Sequence, residues 1–125
     1  MKRPFVLIVD DEVDIAEMIG GLLEDEGYEV AYASNGREGL ESIERRRPDL
    51  ILSDVMMPIM TGPEMLTELR KQGPRSDIPA IIMSAADRQH LAPSFDVPYL
   101  KKPFHIDDLL KEIRAHIGRS ANVRT

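Results

Sequence analysis

Five side chains in this 125-residue chain are of types that can carry out phosphoryl chemistry: Asp10 and Asp11 side by side, then Asp54, Ser84 and Lys102, the last followed at once by Pro103. Each falls where a run that reads as a β-strand comes to an end. In an open α/β sheet ligands bind in the crevice beyond the carboxyl ends of the strands, so residues far apart in sequence converge there. Three carboxylates, a hydroxyl and an ammonium suit a site that holds a divalent cation beside a carboxylate able to take up a phosphoryl group. A carboxylate attacking phosphorus gives an acyl phosphate, which water can later cleave. Such transfer is mostly positioning and neutralisation of charge on the moving oxygens, and a hard cation held by one or two carboxylates supplies that neutralisation.

The elements that must position these groups alternate between strand and helix patterns along the whole chain. Pro4 to Val9 is a continuous apolar run, as in a strand covered on both faces. From about Glu12 to Glu26, Ile15, Ile19, Leu22 and Leu23 recur at helical spacing, and Gly27 is placed to close that helix. Glu29 to Ala33 returns to strand. Ser34 or Asn35 can cap a second helix carrying Leu40 and Ile43, which must stop before Pro48. Asp49 to Ser53 forms the third strand, ended by Asp54; after a loop to Gly62, Pro63 opens a helix with Met65, Leu66 and Leu69 inward. Pro79 to Met83 is the fourth strand. Beyond Ser84 only about two helical turns fit from Ala85 to Leu91 before Pro93, so the fourth helix is expected to be short or irregular. Val97 to Lys101 is a brief fifth strand, and Ile106, Leu109, Leu110, Ile113 and Ile117 mark the buried face of the last helix. The expected fold is α/β, a doubly wound five-stranded parallel sheet; residues 1–118 form one domain and residues 119–125 a tail or the start of a linker.

Composition narrows the function. With 42% apolar residues the chain can build a real core. Sixteen basic against 22 acidic residues give a net charge of -6, and without a basic stripe there is no footprint for direct nucleic-acid binding. No cysteine is present, so neither a disulfide frame nor a thiolate metal site exists. No segment reads as a signal peptide or membrane span, and a cytoplasmic location is expected. His90, His105 and His116 share no ligand spacing, which argues against zinc. The seven methionines read mainly as core filler, with Met56, Met57 and Met60 placed to shape the rim of the site. Arg45, Arg46 and Arg47 most simply solvate the end of the second helix and complement its dipole.

Each candidate also has a plainer use. Asp10 and Asp11 could cap and charge the first turn of the following helix, Ser84 could cap the short helix after strand four, Asp54 could close an Asx-turn, and Lys102 could be a solvated or salt-bridged strand-end charge. Their conjunction at one sheet edge, with the lysine directly before a proline, favours the phosphoacceptor reading. Lys101 should face away, because adjacent strand residues point to opposite faces.

Four pieces carry a family resemblance: Val9-Asp10-Asp11-Glu12, Asp54-Val55-Met56-Met57-Pro58 with Gly62, Met83-Ser84-Ala85, and Tyr99 to Phe104 ending Lys101-Lys102-Pro103-Phe104. In this order and spacing the chain resembles a response-regulator receiver domain of two-component phosphorelays from about Phe5 to Gly118. The resemblance implies a flavodoxin-like sheet of strand order 2-1-3-4-5 and a signalling switch rather than an enzyme. It implies Asp54 as phosphoacceptor, Lys102 and Ser84 on phosphoryl oxygens, and a cis Lys102-Pro103 bond. It further implies Mg²⁺, with Mn²⁺ as a substitute, bound by Asp11 and Asp54 directly, by Asp10 directly or through water, and by the backbone carbonyl of Met56. Ser84 and Tyr99 would form a switch pair controlling a surface made by the fourth helix, fifth strand and last helix. A histidine kinase or histidine phosphotransfer protein would be the donor, and an unidentified protein the downstream partner. Met56 and Ala86 stand where side chains guide the hydrolytic water, and neither can hydrogen-bond it through its side chain, so slow autodephosphorylation is expected. The stretch from Ser84 to Lys102 is shorter than the family pattern, with Pro93 and Pro98 inside it. A docking module that signals without phosphorylation is the alternative, against which the intact acidic site argues. A phosphatase of the haloacid-dehalogenase kind needs a second aspartate where Met56 stands.

Overall fold

The computed structural model describes residues 3–73, 77–85 and 97–117. In chain order these form β1 (Phe5–Val9), α1 (Val13–Asp25), β2 (Glu29–Ala33), α2 (Gly36–Arg45), β3 (Leu50–Asp54), α3 (Gly62–Leu69), β4 (Ala80–Ser84), β5 (Tyr99–Lys101) and α4 (Ile106–Ile117). The five strands make one parallel sheet in the order β2-β1-β3-β4-β5, the order that the family resemblance implies. The α4 of this numbering is the last helix of the sequence reading; the expected short fourth helix after Ser84 lies outside the described residues.

Strand alternation divides the core into two layers. Leu7, Val9, Ile51 and Ile82 face Ile43 of α2 and Met65, Leu66 and Leu69 of α3. Val6, Ile8, Leu50, Leu52, Ile81 and Met83 face Ala16, Ile19 and Leu23 of α1 and Leu109, Leu110 and Ile113 of α4. With helices on both faces, every residue of β1 and β4 is buried, which is why those segments read as unbroken apolar runs. On α1 the buried arc is Ala16, Ile19, Gly20 and Leu23, while Leu22 is exposed rather than inward; it stands about 100° round the helix from Leu23.

Local chemistry sets the ends of the helices. Asn35 caps α2, its Oδ1 accepting from the Glu38 N–H at 3.0 Å. Thr61 and Glu64 form a reciprocal capping box at the start of α3. Gly27, at φ 96°, turns the chain out of α1. The arginines after α2 do more than solvate its end: Arg46 makes two 2.8 Å bonds to Glu29 and lies 3.9 Å over the Phe5 ring, and Arg47 pairs with Asp77 at 2.8 Å. Among the described residues no helix is long and apolar enough to cross a membrane.

Candidate functional site

Parallel register aligns the strand ends that carry the candidate residues. Val9 pairs with Ser53, Asp54 with Met83, and Ser84 with Lys101, so Asp10, Asp54, Ser84 and Lys102 leave the sheet along one edge. The Lys102 N–H donates to the Ser84 carbonyl at 2.7 Å, and its side chain crosses β4 to reach the carboxylates beyond. Lys102 Nζ lies 3.2 Å from Asp54 Oδ2, 3.3 Å from Asp10 Oδ2 and 3.9 Å from Glu12 Oε1. The second oxygen of each aspartate is held by the backbone: Asp10 Oδ1 accepts from the Glu12 N–H at 2.9 Å, and Asp54 Oδ1 from the Val55 N–H at 2.8 Å. Both carboxylates are therefore oriented before any ligand arrives. The loop after β3 is tied back by the Gly62 N–H on the Val55 carbonyl at 2.9 Å. Gly62 is needed there, because a Cβ would overlap the Asp54 backbone carbonyl.

Charge in the site is unbalanced towards acid. Burial pushes the Asp54 carboxyl above the usual carboxylate range, Lys102 opposes this and Asp10 adds to it. For Lys102, burial disfavours the ammonium, but the attraction of Asp54 and Asp10 outweighs it and holds the group above its ordinary value. One ammonium thus serves three carboxylates. Asp10, Glu12 and Asp54 bring one oxygen each to within 4.8 Å of one another. An all-oxygen, anionic donor set of this spacing fits a hard divalent cation such as Mg²⁺, whose charge would offset the burial and the Asp10 repulsion that raise the Asp54 pKa.

The structure gathers some expected residues and not others. Asp10, Asp54 and Lys102 converge, with Ser84 buried at the adjacent strand end. Asp11, expected as a direct ligand, is exposed and is not one of the three grouped carboxylates. Glu12, which the sequence reading passed over, is. Its position directly after the acidic pair was the available signal; it is the N-cap of α1 and makes no side-chain cap bond. Lys101, expected to face away from the site, is exposed. The Lys102-Pro103 bond is cis. Tyr99 is half-buried, its hydroxyl donating to the Ser84 carbonyl over a long 3.5 Å. Of the three methionines expected at the rim, Met57 is buried in the core, Met60 packs against it, and only Met56 is exposed. In the same loop Ile59 is 75% exposed and at φ 70°. Ala86 lies outside the described residues.

Comparison with known proteins agrees with this geometry. The family model described as the response regulator receiver domain matches residues 6–114. The uncharacterized transcriptional regulatory protein YkoG of Bacillus subtilis is 40% identical over 124 residues, covering 96% of this chain and 54% of that protein. Response regulator MprA of Mycobacterium leprae is 37% identical over 119 residues, covering 92% and 51%. The chain spans about half the length of these curated relatives. Among solved structures, the chemotaxis protein CheY4 of Vibrio cholerae superposes with a TM-score of 0.82 at 33% identity, covering 92% of this chain and 99% of that one. The receiver domain of sensor histidine kinase PA1611 from Pseudomonas aeruginosa, with a magnesium ion coordinated in its active site cleft, has a TM-score of 0.86 at 29% identity, covering 94% and 100%. A parallel sheet of this order, an acidic edge joined by one lysine, and these matches lead to one conclusion: the chain belongs to the response regulator receiver domain family.

Proposed function

We propose that Asp54 is the residue on which this receiver domain accepts its phosphoryl group. The observation that carries the reading is the Lys102 ammonium 3.2 Å from Asp54 and 3.3 Å from Asp10 at the carboxyl edge of the sheet. The donor is a histidine kinase or histidine phosphotransfer protein. An Asp54 oxygen attacks phosphorus, a P–O bond forms, the P–N bond to the donor imidazole breaks, and the imidazole leaves with the electron pair and is protonated from solvent. Lys102 stays beside the oxygens as a fixed charge, and the Ser84 hydroxyl donates to one of them. Mg²⁺, or Mn²⁺ in its place, would be held by Asp54, Asp10 and their acidic neighbours with the Met56 carbonyl, and when bound supplies charge neutralisation to the transferring group.

Phosphorylation adds charge and acceptor oxygens at Asp54, drawing Ser84 towards it and freeing Tyr99 to change its packing. That pair would pass the change to the surface around β5 and α4, and so to a protein partner. Met56 and Ala86 offer no side-chain hydrogen bond to the hydrolytic water, so the acyl phosphate is lost slowly. Residues 1–118 form the receiver unit. The experiment is intact-protein mass after incubation with acetyl phosphate or a phosphorylated histidine donor and Mg²⁺. A single phosphoryl adduct is expected, absent in Asp54→Ala and with chelator. An adduct that persists in Asp54→Ala would move the site elsewhere.

A further inference from the structure

Ser53 carries a hydroxyl that the chemistry above does not use. The residue is fully buried, and strand alternation places it between Ile51 and Val55, on the side of the sheet that packs against α2 and α3. A hydroxyl in an apolar layer costs free energy unless it is bonded, and an alanine would occupy the place without that cost. The bond it makes is to the residue that follows: Ser53 Oγ donates to the backbone carbonyl of Asp54 at 2.8 Å. Ser53 is the last β3 residue in register with β1, so this carbonyl lies just past that pairing. The same peptide unit is held at its other end, where the Val55 N–H donates to Asp54 Oδ1 at 2.8 Å and to the Met83 carbonyl at 3.1 Å. Gly62 closes the arrangement from α3, its Cβ position 2.9 Å from Ser53 Oγ, which leaves the hydroxyl little room to turn away.

We propose that Ser53 is a positioning residue for phosphoryl transfer. A peptide unit is planar, so holding the Asp54 carbonyl sets the direction of the Val55 N–H, and that N–H sets the direction of the Asp54 carboxylate. The outcome is that Asp54 presents its other oxygen, Oδ2, beside Lys102 Nζ at 3.2 Å. This rests on the reading of Asp54 as the acceptor and deepens it: the hydroxyl touches neither donor nor cation and acts through the backbone of the residue that does.

The test is the rate of adduct formation, followed by intact mass in the presence of Mg²⁺, for the unsubstituted protein, Ser53→Ala, Ser53→Thr and Ser53→Val. Each is measured over a range of acetyl phosphate concentrations and again with a phosphorylated histidine donor, and thermal melts of the same proteins separate loss of rate from loss of fold. Ser53→Ala should lose about fivefold or more in maximal rate, as expected for one positioning hydrogen bond. Its half-saturating acetyl phosphate concentration should stay unchanged, and the fractional loss should be the same with the histidine donor, since both donors meet the same misaligned carboxylate. Ser53→Thr keeps the hydroxyl and should recover most of the rate, whereas Ser53→Val, of similar size without the hydroxyl, should not. A maximal rate in Ser53→Ala within about twofold of the unsubstituted protein, or Ser53→Val as fast as Ser53→Thr, would overturn the assignment while leaving Asp54 as the acceptor. No adduct on the unsubstituted protein with either donor would overturn the acceptor reading and the role of Ser53 together.

Discussion

Lys102 carries the balance of charge at the site, and its titration can be read in stability. Its pKa in the folded chain is raised above 10.5, after the attraction of Asp54 and Asp10 overcomes the cost of burial. A raised basic group contributes stability that is full below the unfolded pKa and is lost as pH rises through the folded value. Denaturant melts of Lys102→Met against the unsubstituted protein should therefore differ most between pH 7 and 10 and converge at higher pH. Asp54 shares that sign for the opposite reason: its pKa is raised above 3.8 mainly because burial disfavours the carboxylate, so the metal-free fold loses stability as pH rises from the unfolded value through the folded one. Asp54→Asn should melt higher than the unsubstituted protein at neutral pH in chelator, and this advantage should vanish below pH 3.8. Two residues away from the chemistry invite simpler substitutions. Tyr28 is fully buried, and its hydroxyl makes no well-formed hydrogen bond but feels the Arg114 guanidinium, which opposes the upward pull of burial on its pKa, so Tyr28→Phe should change stability by no more than about 1 kcal/mol in urea melts. Ile59, β-branched and exposed at φ 70°, pays about 1–2 kcal/mol for a left-handed backbone, and Ile59→Asn should recover part of it.

Two glycines show how elements hold the site. Gly21 of α1 has open space where a Cβ would sit, so Gly21→Ala should stabilise by about 0.5–1 kcal/mol through helix propensity. Gly62, at the start of α3, has none: a Cβ there would meet the Asp54 backbone carbonyl and lie 2.9 Å from Ser53 Oγ. Gly62→Ala should cost about 1–3 kcal/mol and impair phosphorylation as well, because the obstacle is the backbone that carries the acceptor. Thermal melts together with adduct mass separate the two outcomes. Elements were the most legible level of the sequence. Strands β1 and β4 were readable because both faces are covered, and α4 because its apolar stripe is regular. Their ends shifted by a residue or two: β3 runs to Asp54 rather than Ser53, and β5 begins at Tyr99 rather than Val97, since pairing with neighbours, not composition, ends a strand. At the site, Asp10, Asp54 and Lys102 were legible because strand ends converge whatever the side chains do. Glu12 was not, because its side chain turns back from a helix start towards a lysine 90 residues away, and no local periodicity encodes that turn. Leu22 and Met57 failed for the same reason: which apolar residue faces inward on a helix flank or in a loop is decided by the partner surface.

At the scale of the whole molecule, a net charge of -6 adds a general field to the local repulsion among Asp10, Glu12 and Asp54. Any cation that binds the folded chain and not the unfolded one stabilises it by mass action, about 2.7 kcal/mol at a hundredfold excess over the dissociation constant. Mg²⁺ should accordingly raise the melting temperature, monovalent salt at equal ionic strength should do so less, and an equal rise in Asp54→Ala would rule out Asp54 as a principal ligand. The strand order β2-β1-β3-β4-β5 also distributes motion. Asp54 ends the central strand, whose amides are bonded to neighbours on both sides, whereas Lys102 follows a three-residue strand at the edge, bonded on one side alone. Amide protons of β3 should thus exchange with solvent on the timescale of global unfolding and those of β5 much sooner, so that the ion pair between them works as a tether from a fixed post to a loose border: the acceptor holds still while the cation that meets its phosphate rides on the part of the sheet best able to report the encounter outward.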